Sequence, residues 1–573
     1  MTMRETRSPS QVLFSHLPAQ TTDIKSRIWK VQTWLNPLTL RVDTDGVRQR
    51  LLSAIDPWRA QGNDNGFSNQ LHQGKTIEVV GVNPEQGVKV DAWPNVWRCQ
   101  SCRRVTNSKG QCVCGNKTWA QLHFVGFHEC GYLGEPFIPK CPEHNQVLVK
   151  HSSSSSVRDL EFECPICHRA LQQGLGAGRP CPGCKQPGLT FNVHRAASVY
   201  TPHTFTMVNP ARPEHLQALL ADGGREKSLR WVLSEMRTAR PEKLAPTRQS
   251  MIDSFVQQGL PLAAAEAAVR AAIDAGAGHL DKPVDLLDIS PLRQEEADAT
   301  ALEIALATYE GRRTASELPG DPVGANLRAI YEDKYAPAIH RAGLVDVDLV
   351  DRFPILRGVF GYTRGGKPVG ESRLVAYQGR QQSIRVYADT NETEALYLRL
   401  DPVRVAAWLH RRELLKEAPT DPTKARIAII NAAEFPGRGD DVPVQTAGSA
   451  VLTLLHTYAH RFIRQLAVLA GVDRESLAEY LIPHHLGVFI YATPRGQFVL
   501  GGLQSVFETD LDRLLDLQVD AETRCPLDPG CDRSTGACLA CLHIGEPSCS
   551  HYNRFLDRKT LFGSNGYLRK ELS

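Results

Sequence analysis

Cysteine is the residue type whose spacing indicates chemistry most directly in this chain. Of its fifteen cysteines, ten lie between residues 99 and 184 and five between residues 525 and 549. Most of them form C-x-x-C or C-x-C pairs, in which two thiolates bind one metal ion. Because the N-terminus has no apolar signal segment, we expect a reducing cytoplasm, where such pairs bind zinc rather than form disulfide bonds.

Two C-x-x-C pairs separated by thirteen residues form the clearest predicted metal site. They are Cys164 with Cys167, and Cys181 with Cys184. Two such knuckles place four thiolates tetrahedrally around one Zn²⁺, as in a zinc ribbon. Four protein ligands leave no position for water, so we expect a structural site rather than a catalytic one.

The region upstream of this ribbon predicts further metal sites. One is a second ribbon with a tighter second knuckle, formed by Cys99, Cys102, Cys112 and Cys114. Between the two ribbons, an H-x-C and a C-x-x-H pair are candidates for a third, Cys₂His₂ site: His128, Cys130, Cys141 and His144. The alternative for these last four residues is buried free thiols and surface histidines. Zinc here would fold short loops that lack a core of their own.

Basic residues are interleaved with Trp97 and Trp119 near the upstream ribbon. They are Arg103, Arg104, Lys109 and Lys117. Aromatic rings that stack on bases and cations that contact phosphates are typical of single-stranded nucleic-acid binding. The alternative is a solvated charged face around a metal knuckle.

The C-terminal cysteines outnumber the ligands of one metal ion. Our preferred four ligands are Cys531, Cys538, Cys541 and Cys549, and Cys525 is the alternative to one of the outer ligands. Upstream, His456 and His460 share one face of a predicted helix because they are four residues apart. They are candidates for metal or phosphate binding, although a structural pair hydrogen-bonded between that helix and a sheet is favoured.

A segment from Gly361 to Pro368 resembles part of a phosphate-binding P-loop. It satisfies G-x₄-G-K, but Pro368 stands where the motif has Ser or Thr. Proline has neither the hydroxyl for Mg²⁺ nor the N–H for the phosphate. We expect a hairpin with Gly365 and Gly366 near its turn instead of a nucleotide site.

The elements that position these residues are predicted to form several domains, because 573 residues exceed the size of one hydrophobic core. We expect a mixed region at 1–90, zinc-ribbon modules at 91–205, a helical region at 206–345 and a C-terminal α/β domain at 346–573. The predicted fold class is therefore multidomain α+β: zinc-ribbon modules in the N-terminal half, a helical middle, and a mixed α/β C-terminal domain closed by a cysteine cluster.

Composition narrows the class of protein. With 42% hydrophobic and 23% charged residues, the sequence is that of an ordinary soluble globular protein. The net charge of +3 does not by itself indicate nucleic-acid binding. No apolar run approaches the ~20 residues of a membrane span, so we expect a cytoplasmic protein. Trp29, Trp34 and Trp58 are expected core residues, and Ser290-Pro291 predicts a helix start.

Several segments of the C-terminal half occur together in one family. They are FGYTRGG at 360–366, TNETEALYLRLDPVRVAAWL at 390–409, HTYAH at 456–460, IYATPRGQFVLGGL at 490–503, and the tail DPGC…GACLACL…EPSC…N-x-x-L-D-R. In this order they resemble the DrmB family, the B component of the DISARM anti-phage systems. The cysteine tail also resembles the zinc-binding C-terminal domain of some DNA-repair helicases.

The resemblance implies a non-catalytic subunit with about three to four zinc ions. It implies a partner, the superfamily 2 helicase-like A component, which carries the ATPase, and a joint role in recognising foreign DNA. A DNA methyltransferase of the same system is a further candidate partner. The family's tail cysteines and paired histidines correspond to the residues named above. Where the family often has a histidine before the last cysteine of its C-x-x-C, this chain has Ala540.

Two other functions compete with this one. The first is a metal-dependent nuclease that uses His456, His460 or an opened terminal metal site. The second is a zinc-ribbon adaptor that contacts only protein. Cleavage of DNA would distinguish the nuclease, and DNA affinity that falls steeply with salt would argue against the adaptor.

Overall fold

The computed structural model combines helices with several β-sheets. It describes residues 2–150, 156–209, 213–221, 224–236, 252, 254–256, 258–274, 288–320, 328–437, 440, 445–493, 501–520, 525–534, 536–545, 548–549, 551–562 and 564–568. The chain divides into two compact units. Unit 1 consists mainly of Met1–Met207 and Leu356–Thr390, and unit 2 mainly of Val208–Ile355, Asn391–Pro436 and Asp440–Ser573. The expected mixture of helices and sheets is confirmed, whereas the division into the four predicted domains stays a prediction.

The strands are mostly short, apart from two long ones. In chain order they are β1 (Thr2–Glu5), β2 (Thr21–Ile24), β3 (Arg27–Trp34), β4 (Leu38–Thr39), β5 (Ile77–Gly81), β6 (Val88–Ala92), β7 (Trp97–Cys99), β8 (Val105–Thr106), β9 (Trp119–Gln121), β10 (Phe124–Phe127), β11 (Leu133–Gly134), β12 (Leu148–Lys150), β13 (Glu161–Glu163), β14 (Ala170–Gln173), β15 (Thr190–Val193), β16 (Thr201–Val208), β17 (Arg312–Thr314), β18 (Leu344–Thr363), β19 (Val375–Ala376), β20 (Ile384–Leu400), β21 (Leu477–Ile482) and β22 (Gly487–Ala492).

The helices are concentrated in unit 2. In chain order they are α1 (Pro9–Ser15), α2 (Thr44–Ala54), α3 (Asp56–Ala60), α4 (Phe67–His72), α5 (Pro213–Ala221), α6 (Gly224–Leu233), α7 (Leu262–Asp274), α8 (Pro291–Ala307), α9 (Arg328–Ile330), α10 (Ala336–Arg341), α11 (Pro402–Arg411), α12 (Pro422–Ala432), α13 (Ala447–Leu469), α14 (Gly502–Thr509), α15 (Leu511–Val519), α16 (Gly530–Arg533) and α17 (Lys559–Phe562). None of the helices in the described ranges is long and apolar enough to cross a membrane.

Unit 1 contains small antiparallel sheets that carry the first cysteine zone. A four-stranded sheet has the order β1-β6-β3-β2, and three three-stranded sheets have the orders β8-β7-β9, β11-β10-β15 and β12-β13-β14. The expected core residues Trp29, Trp34 and Trp58 are at most 3% exposed. They are therefore confirmed as anchors of the apolar core of this unit.

The FGYTRGG segment at 360–366 includes the last residues of β18. It stabilises unit 1 through a buried arginine. Arg364 is 1% exposed. Its Nε donates a hydrogen bond to the carbonyl of Gly131 at 3.0 Å, its Nη2 donates to the carbonyl of Ala19 at 2.9 Å, and its Nη1 donates to the carbonyl of Val199. One guanidinium thus satisfies three backbone carbonyls from distant parts of unit 1, which the several donors of arginine make possible.

The same segment has no phosphate-binding geometry. Gly361 lies within β18 and pairs with Ala376 of β19, so the chain forms the expected antiparallel hairpin rather than a strand-to-helix turn. Lys367 forms an ion pair with Glu129 at 2.9 Å. The P-loop-like pattern is therefore part of a hairpin.

Unit 2 is built around the central helix α13. This helix begins at Ala447 after the N-cap Thr446 and packs against β21 and β22. β21 pairs antiparallel with β22, which pairs antiparallel with the second half of β20. The predicted start of α8 at Pro291 is also observed. The packing of α13 on β21 brings polar residues of both elements to one buried point.

Candidate metal centres

The first cysteine zone contains six similar turns, each carrying two potential ligands. In each turn, the residue that follows the second ligand adopts a left-handed conformation with φ between +49° and +94°: Arg103, Gly115, Gly131, Asn145, His168 and Lys185. Four of these are not glycine, and such a residue costs roughly 1 kcal/mol or more in this conformation. Strain repeated at equivalent positions indicates that each turn is shaped to bring its ligand pair together.

Backbone hydrogen bonds close each of the six turns in the same way. The N–H of the left-handed residue donates to the carbonyl of the first ligand, at 2.7 to 3.1 Å. In the two C-x-x-C turns at Cys164 and Cys181, an amide inside the turn also donates to the first sulfur. Ile166 donates at 3.4 Å and Gly183 at 3.3 Å. Such amide contacts favour the thiolate, the form of cysteine that binds metal.

The first cluster joins the turn after β7 with the turn before β9. Cys99 Sγ lies 3.7 Å from Cys114 Sγ, and Cys102 Sγ lies 3.4 Å from Cys112 Sγ. Two sulfurs on a tetrahedral Zn²⁺ are about 3.8 Å apart, given Zn–S bonds of about 2.3 Å. The structure therefore brings together the four residues that the sequence grouped here, in an arrangement that fits zinc.

The second cluster joins residues that the sequence analysis had assigned to different sites. Cys130 Sγ lies 3.7 Å from Cys181 Sγ, and Cys184 Sγ lies 3.4 Å from His128 Nδ1. The other ring nitrogen of His128, Nε2, lies 3.2 Å from the carbonyl oxygen of Pro187. A carbonyl only accepts, so Nε2 carries the proton and Nδ1 presents its lone pair to the cluster, as in metal-bound histidines.

The third cluster is formed by Cys141, His144, Cys164 and Cys167, whose ligand atoms all lie within 4.8 Å of one another. His144 Nδ1 lies 3.5 Å from both Cys141 Sγ and Cys164 Sγ, and Cys141 Sγ lies 3.9 Å from Cys167 Sγ. These separations also fit a tetrahedral zinc ion.

The predicted ribbon of Cys164, Cys167, Cys181 and Cys184 is therefore wrong as a group, and so is the predicted Cys₂His₂ site. Strand pairing explains the difference. β10 pairs with β15, so the turn after β10 meets the turn before β15; β12 pairs with β13, so the turns beside those two strands meet. The third cluster is thereby nested inside the second along the chain.

The terminal cluster consists of Cys525, Cys531, Cys538 and Cys541. Cys525 Sγ lies 3.4 Å from Cys538 Sγ, and Cys531 and Cys538 lie 3.7 Å from Cys541. The preferred set of Cys531, Cys538, Cys541 and Cys549 is thus wrong in one member. Cys525 completes this cluster, because Cys549 is held elsewhere by contacts with α13 and β21.

The N-x-x-L-D-R segment fastens the chain around the terminal cluster. Arg558 forms ion pairs with Asp528 at 2.5 Å and Asp532 at 3.4 Å. Leu556 packs on Ala537 and Leu542. These contacts surround the cysteines and shape the loops that carry them.

In three of these clusters, local hydrogen bonds favour the thiolate form of one cysteine. Burial alone would raise the pKa of Cys99, but the N–H of Cys102 and the amide of Asn116 lower it to about 6. Burial would likewise raise the pKa of Cys164, yet the N–H groups of Cys167 and Ile166 lower it to about 6. In the terminal cluster, the pKa of Cys538 is lowered to about 7 against the effect of burial. Each of these clusters thus contains a sulfur that ionises readily near neutral pH.

A fifth group of potential ligands lies where α13 meets β21. It consists of His456, His460, Glu479 and Cys549, all of them buried. Burial would lower the pKa of His456, but the Glu479 carboxylate and Cys549 raise it well above its usual value. Burial would raise the pKa of Cys549, but His456 lowers it to about 7. We call these four residues the α13–β21 cluster.

Sequence reasoning missed Glu479 and misplaced Cys549. A lone carboxylate inside the otherwise apolar strand Leu477–Ile482 was the available signal for Glu479. The favoured prediction for His456 and His460 was a structural pair between the helix and a sheet. Both lie at that interface, facing Glu479 of β21 at 3.0 and 3.6 Å.

The basic residues near the first cluster have different environments. Lys109 Nζ lies 3.4 Å from the ring centroid of Trp97, and Arg104 Nε donates to Gln146 Oε1 at 2.8 Å. Arg103 is the left-handed residue of its turn, and Lys117 is exposed. Arg104, Lys109 and Trp119 line a groove of about 250 Å³ beside the cluster, together with Lys140.

Comparison with known proteins adds to this geometry. A family model described as a domain of unknown function (DUF8724) matches residues 8–201, which contain the first three clusters. A curated relative is the DISARM protein DrmB of Bacillus paralicheniformis, 28% identical over 183 residues. This chain is similar to DrmB. The match covers 29% of this chain and 31% of that protein, and it confirms the resemblance to the DrmB family.

The three clusters of unit 1 and the terminal cluster fit zinc by donor type, number and spacing. Each presents four soft or borderline donors, which is the ligand set of closed structural zinc sites. When bound, zinc would supply cross-links between loops that have little core of their own.

Proposed function

We propose that this chain is a zinc-binding, non-catalytic subunit of a DISARM-type anti-phage complex. In this proposal it pairs with a superfamily 2 helicase-like partner and binds foreign DNA. The similarity to a DISARM protein DrmB is the observation that carries the proposal. The metal-capable clusters support it, because closed four-ligand sites build binding surfaces without performing chemistry themselves.

The groove beside the first cluster is the proposed DNA-contact surface. Its walls include Lys109, Lys140 and Trp119. Among the described residues, no carboxylate lies within ion-pair distance of either lysine. Lysines without a carboxylate partner next to a half-exposed tryptophan provide phosphate contacts and a stacking surface. Lys117 is a further exposed cation on the same knuckle.

The α13–β21 cluster does not support the nuclease alternative. His456, His460 and Glu479 are at most 1% exposed. A nuclease must bring a phosphodiester and a water molecule to its catalytic groups, and neither reaches side chains buried at this depth. The ATP hydrolysis of the complex would belong to the partner, since the P-loop-like segment here is a hairpin.

Co-expression with a helicase-like A component of a DISARM system tests the proposal. We expect both proteins to elute together in size-exclusion chromatography after affinity capture of either one. The pair should retard labelled DNA in a gel shift, and this chain alone should hydrolyse no ATP. Separate elution of the two proteins at micromolar concentration would contradict the proposed pairing.

A further inference from the structure

The α13–β21 cluster has the geometry of a metal site and, unlike the other four clusters described above, includes a carboxylate among its potential ligands. His456 Nε2 lies 3.3 Å from Cys549 Sγ and 3.0 Å from Glu479 Oε1, and His460 Nε2 lies 3.6 Å from Glu479 Oε2. Donors on a tetrahedral zinc ion are about 3.3 to 3.8 Å apart for the usual Zn–N, Zn–O and Zn–S bond lengths. The separations of 3.3 and 3.6 Å fit this range, and the His456–Glu479 separation of 3.0 Å is slightly shorter. We propose that His456, His460, Glu479 and Cys549 bind one further divalent metal ion, zinc, in a closed structural site.

The orientation of His460 supports metal binding. Its Nδ1 lies 3.1 Å from the carbonyl oxygen of Leu542. Since a carbonyl only accepts, Nδ1 carries the proton, and a neutral ring then presents a lone pair at Nε2. This Nε2 is buried and has no hydrogen-bond donor facing it in the described part of the chain. A backbone carbonyl that fixes the outer nitrogen while the inner one faces the ion is typical of metal-bound histidine.

The environment of Cys549 also favours a bound thiolate. Its sulfur accepts backbone N–H groups from His551 at 3.4 Å and from Asn553 at 3.2 Å. Asn553 is further fixed by its side chain, which exchanges two hydrogen bonds with the backbone of Ile544. The amide-to-sulfur contacts of the turns at Cys164 and Cys181 thus recur here with different residues.

A dication balances the charge of this ligand set. A Glu479 carboxylate and a Cys549 thiolate carry two negative charges, and two neutral imidazoles carry none. Without an ion, protons on the two histidines must balance these buried anions, because burying uncompensated charge is costly; one M²⁺ replaces those protons and leaves the site neutral. A mixed set of nitrogen, oxygen and sulfur donors suits Zn²⁺ better than Ca²⁺ or Mg²⁺, which prefer oxygen alone.

The site joins three distant segments of unit 2. It connects α13 to β21 and to the loop after the terminal cluster, where Glu479 N–H also donates to the carbonyl of Ser548 at 3.2 Å. With four protein ligands and no exposed face, it would hold these elements together rather than activate water. This inference does not depend on the DISARM assignment.

Metal counting tests the proposal directly. Native mass spectrometry and elemental analysis of the purified full-length chain should find five metal ions, one for each cluster. Cys549→Ala and Glu479→Gln should each retain four. The matched control is His485→Gln, which removes another fully buried histidine of unit 2 and should retain five.

The number of metal ions bound to the unsubstituted chain tests the proposed α13–β21 site even if a variant fails to fold. Four ions in the unsubstituted chain, with the three clusters of unit 1 and the terminal cluster all loaded, would overturn the proposal. So would five ions in folded Cys549→Ala and Glu479→Gln. Elemental analysis showing iron or another metal in place of one zinc would refute zinc at this site.

Discussion

The proton on His460 Nδ1 is donated to the carbonyl oxygen of Leu542, 3.1 Å away. Leu542 directly follows Cys541, a member of the terminal cluster. One hydrogen bond therefore connects the terminal cluster to the α13–β21 cluster. This adjacency explains why five cysteines lie so close together in sequence although they belong to two groups.

Double substitutions distinguish those two groups. Cys525→Ala with Cys541→Ala should lose one metal ion in total, because both residues belong to the same site. Cys525→Ala with Cys549→Ala should lose two. Elemental analysis of folded protein, with size-exclusion elution as the control for folding, measures both. Equal losses from the two double variants would contradict the assignment of Cys525 to the terminal cluster.

The nesting of the second and third clusters in unit 1 gives a similar test. Cys141→Ala combined with Cys164→Ala should remove one ion, since these sulfurs share a cluster. Cys164→Ala combined with Cys181→Ala should remove two. A simple ribbon of two consecutive C-x-x-C pairs predicts the opposite order, so the two counts decide between the arrangements.

Salt dependence tests the proposed DNA groove. Lys109→Gln with Lys140→Gln should weaken DNA binding by the helicase complex and reduce the slope of log affinity against log salt by about 2, or about 0.9 for each lost phosphate contact. The control is Lys89→Gln, an exposed lysine on β6 in the same unit. Fluorescence anisotropy at several salt concentrations measures the slope. An unchanged slope in the double variant would place the DNA contacts elsewhere.

Two buried histidines predict a loss of stability in acid. Burial lowers the pKa of His203 to about 3, and burial likewise lowers that of His485 to about 3. Below pH ~6.5 the unfolded chain binds protons that the folded chain excludes, so each histidine should cost about 1.4 kcal/mol per pH unit between pH 6.5 and 3. Above pH 6.5 neither contributes.

Acid also releases bound metal, which lowers stability by itself. A comparison of variants separates the contribution of the buried histidines from that of metal loss. His203→Gln should be less stable than the unsubstituted protein at pH 7.5, because it perturbs the hydrogen bond to Thr363. At pH 5 the difference should shrink by about 2 kcal/mol. Denaturant midpoints at both pH values measure it. A difference independent of pH would show that His203 is not buried in its neutral form.

Local signals in the sequence predicted the individual turns but not their partners. Spacing identified Cys164 with Cys167 as a knuckle because both ligands lie in one turn. It did not reveal that the other half is Cys141 with His144, because that depends on the pairing of β12 with β13. Spacing alone pairs Cys164 and Cys167 with the next C-x-x-C along the chain. The partner in the structure instead follows from the pairing of strands that are distant in sequence.

The same limit applies to the C-terminal half. The helix Ala447–Leu469 and the shared face of His456 and His460 follow from helical periodicity. Glu479 could not be linked to them, because only the packing of α13 on β21 brings that strand beneath the histidines. Cys549 was attached to the terminal cluster by its proximity in sequence, while its sulfur faces His456.

Phage protection tests the central claim that this chain is a metal-stabilised subunit of a defence complex. In a strain with the neighbouring defence genes, deletion of this chain should abolish protection, and the unsubstituted chain should restore it. The chain with Cys525→Ala and Cys541→Ala should fail to restore it when expressed to the same level. Full protection after deletion of the chain would contradict the account.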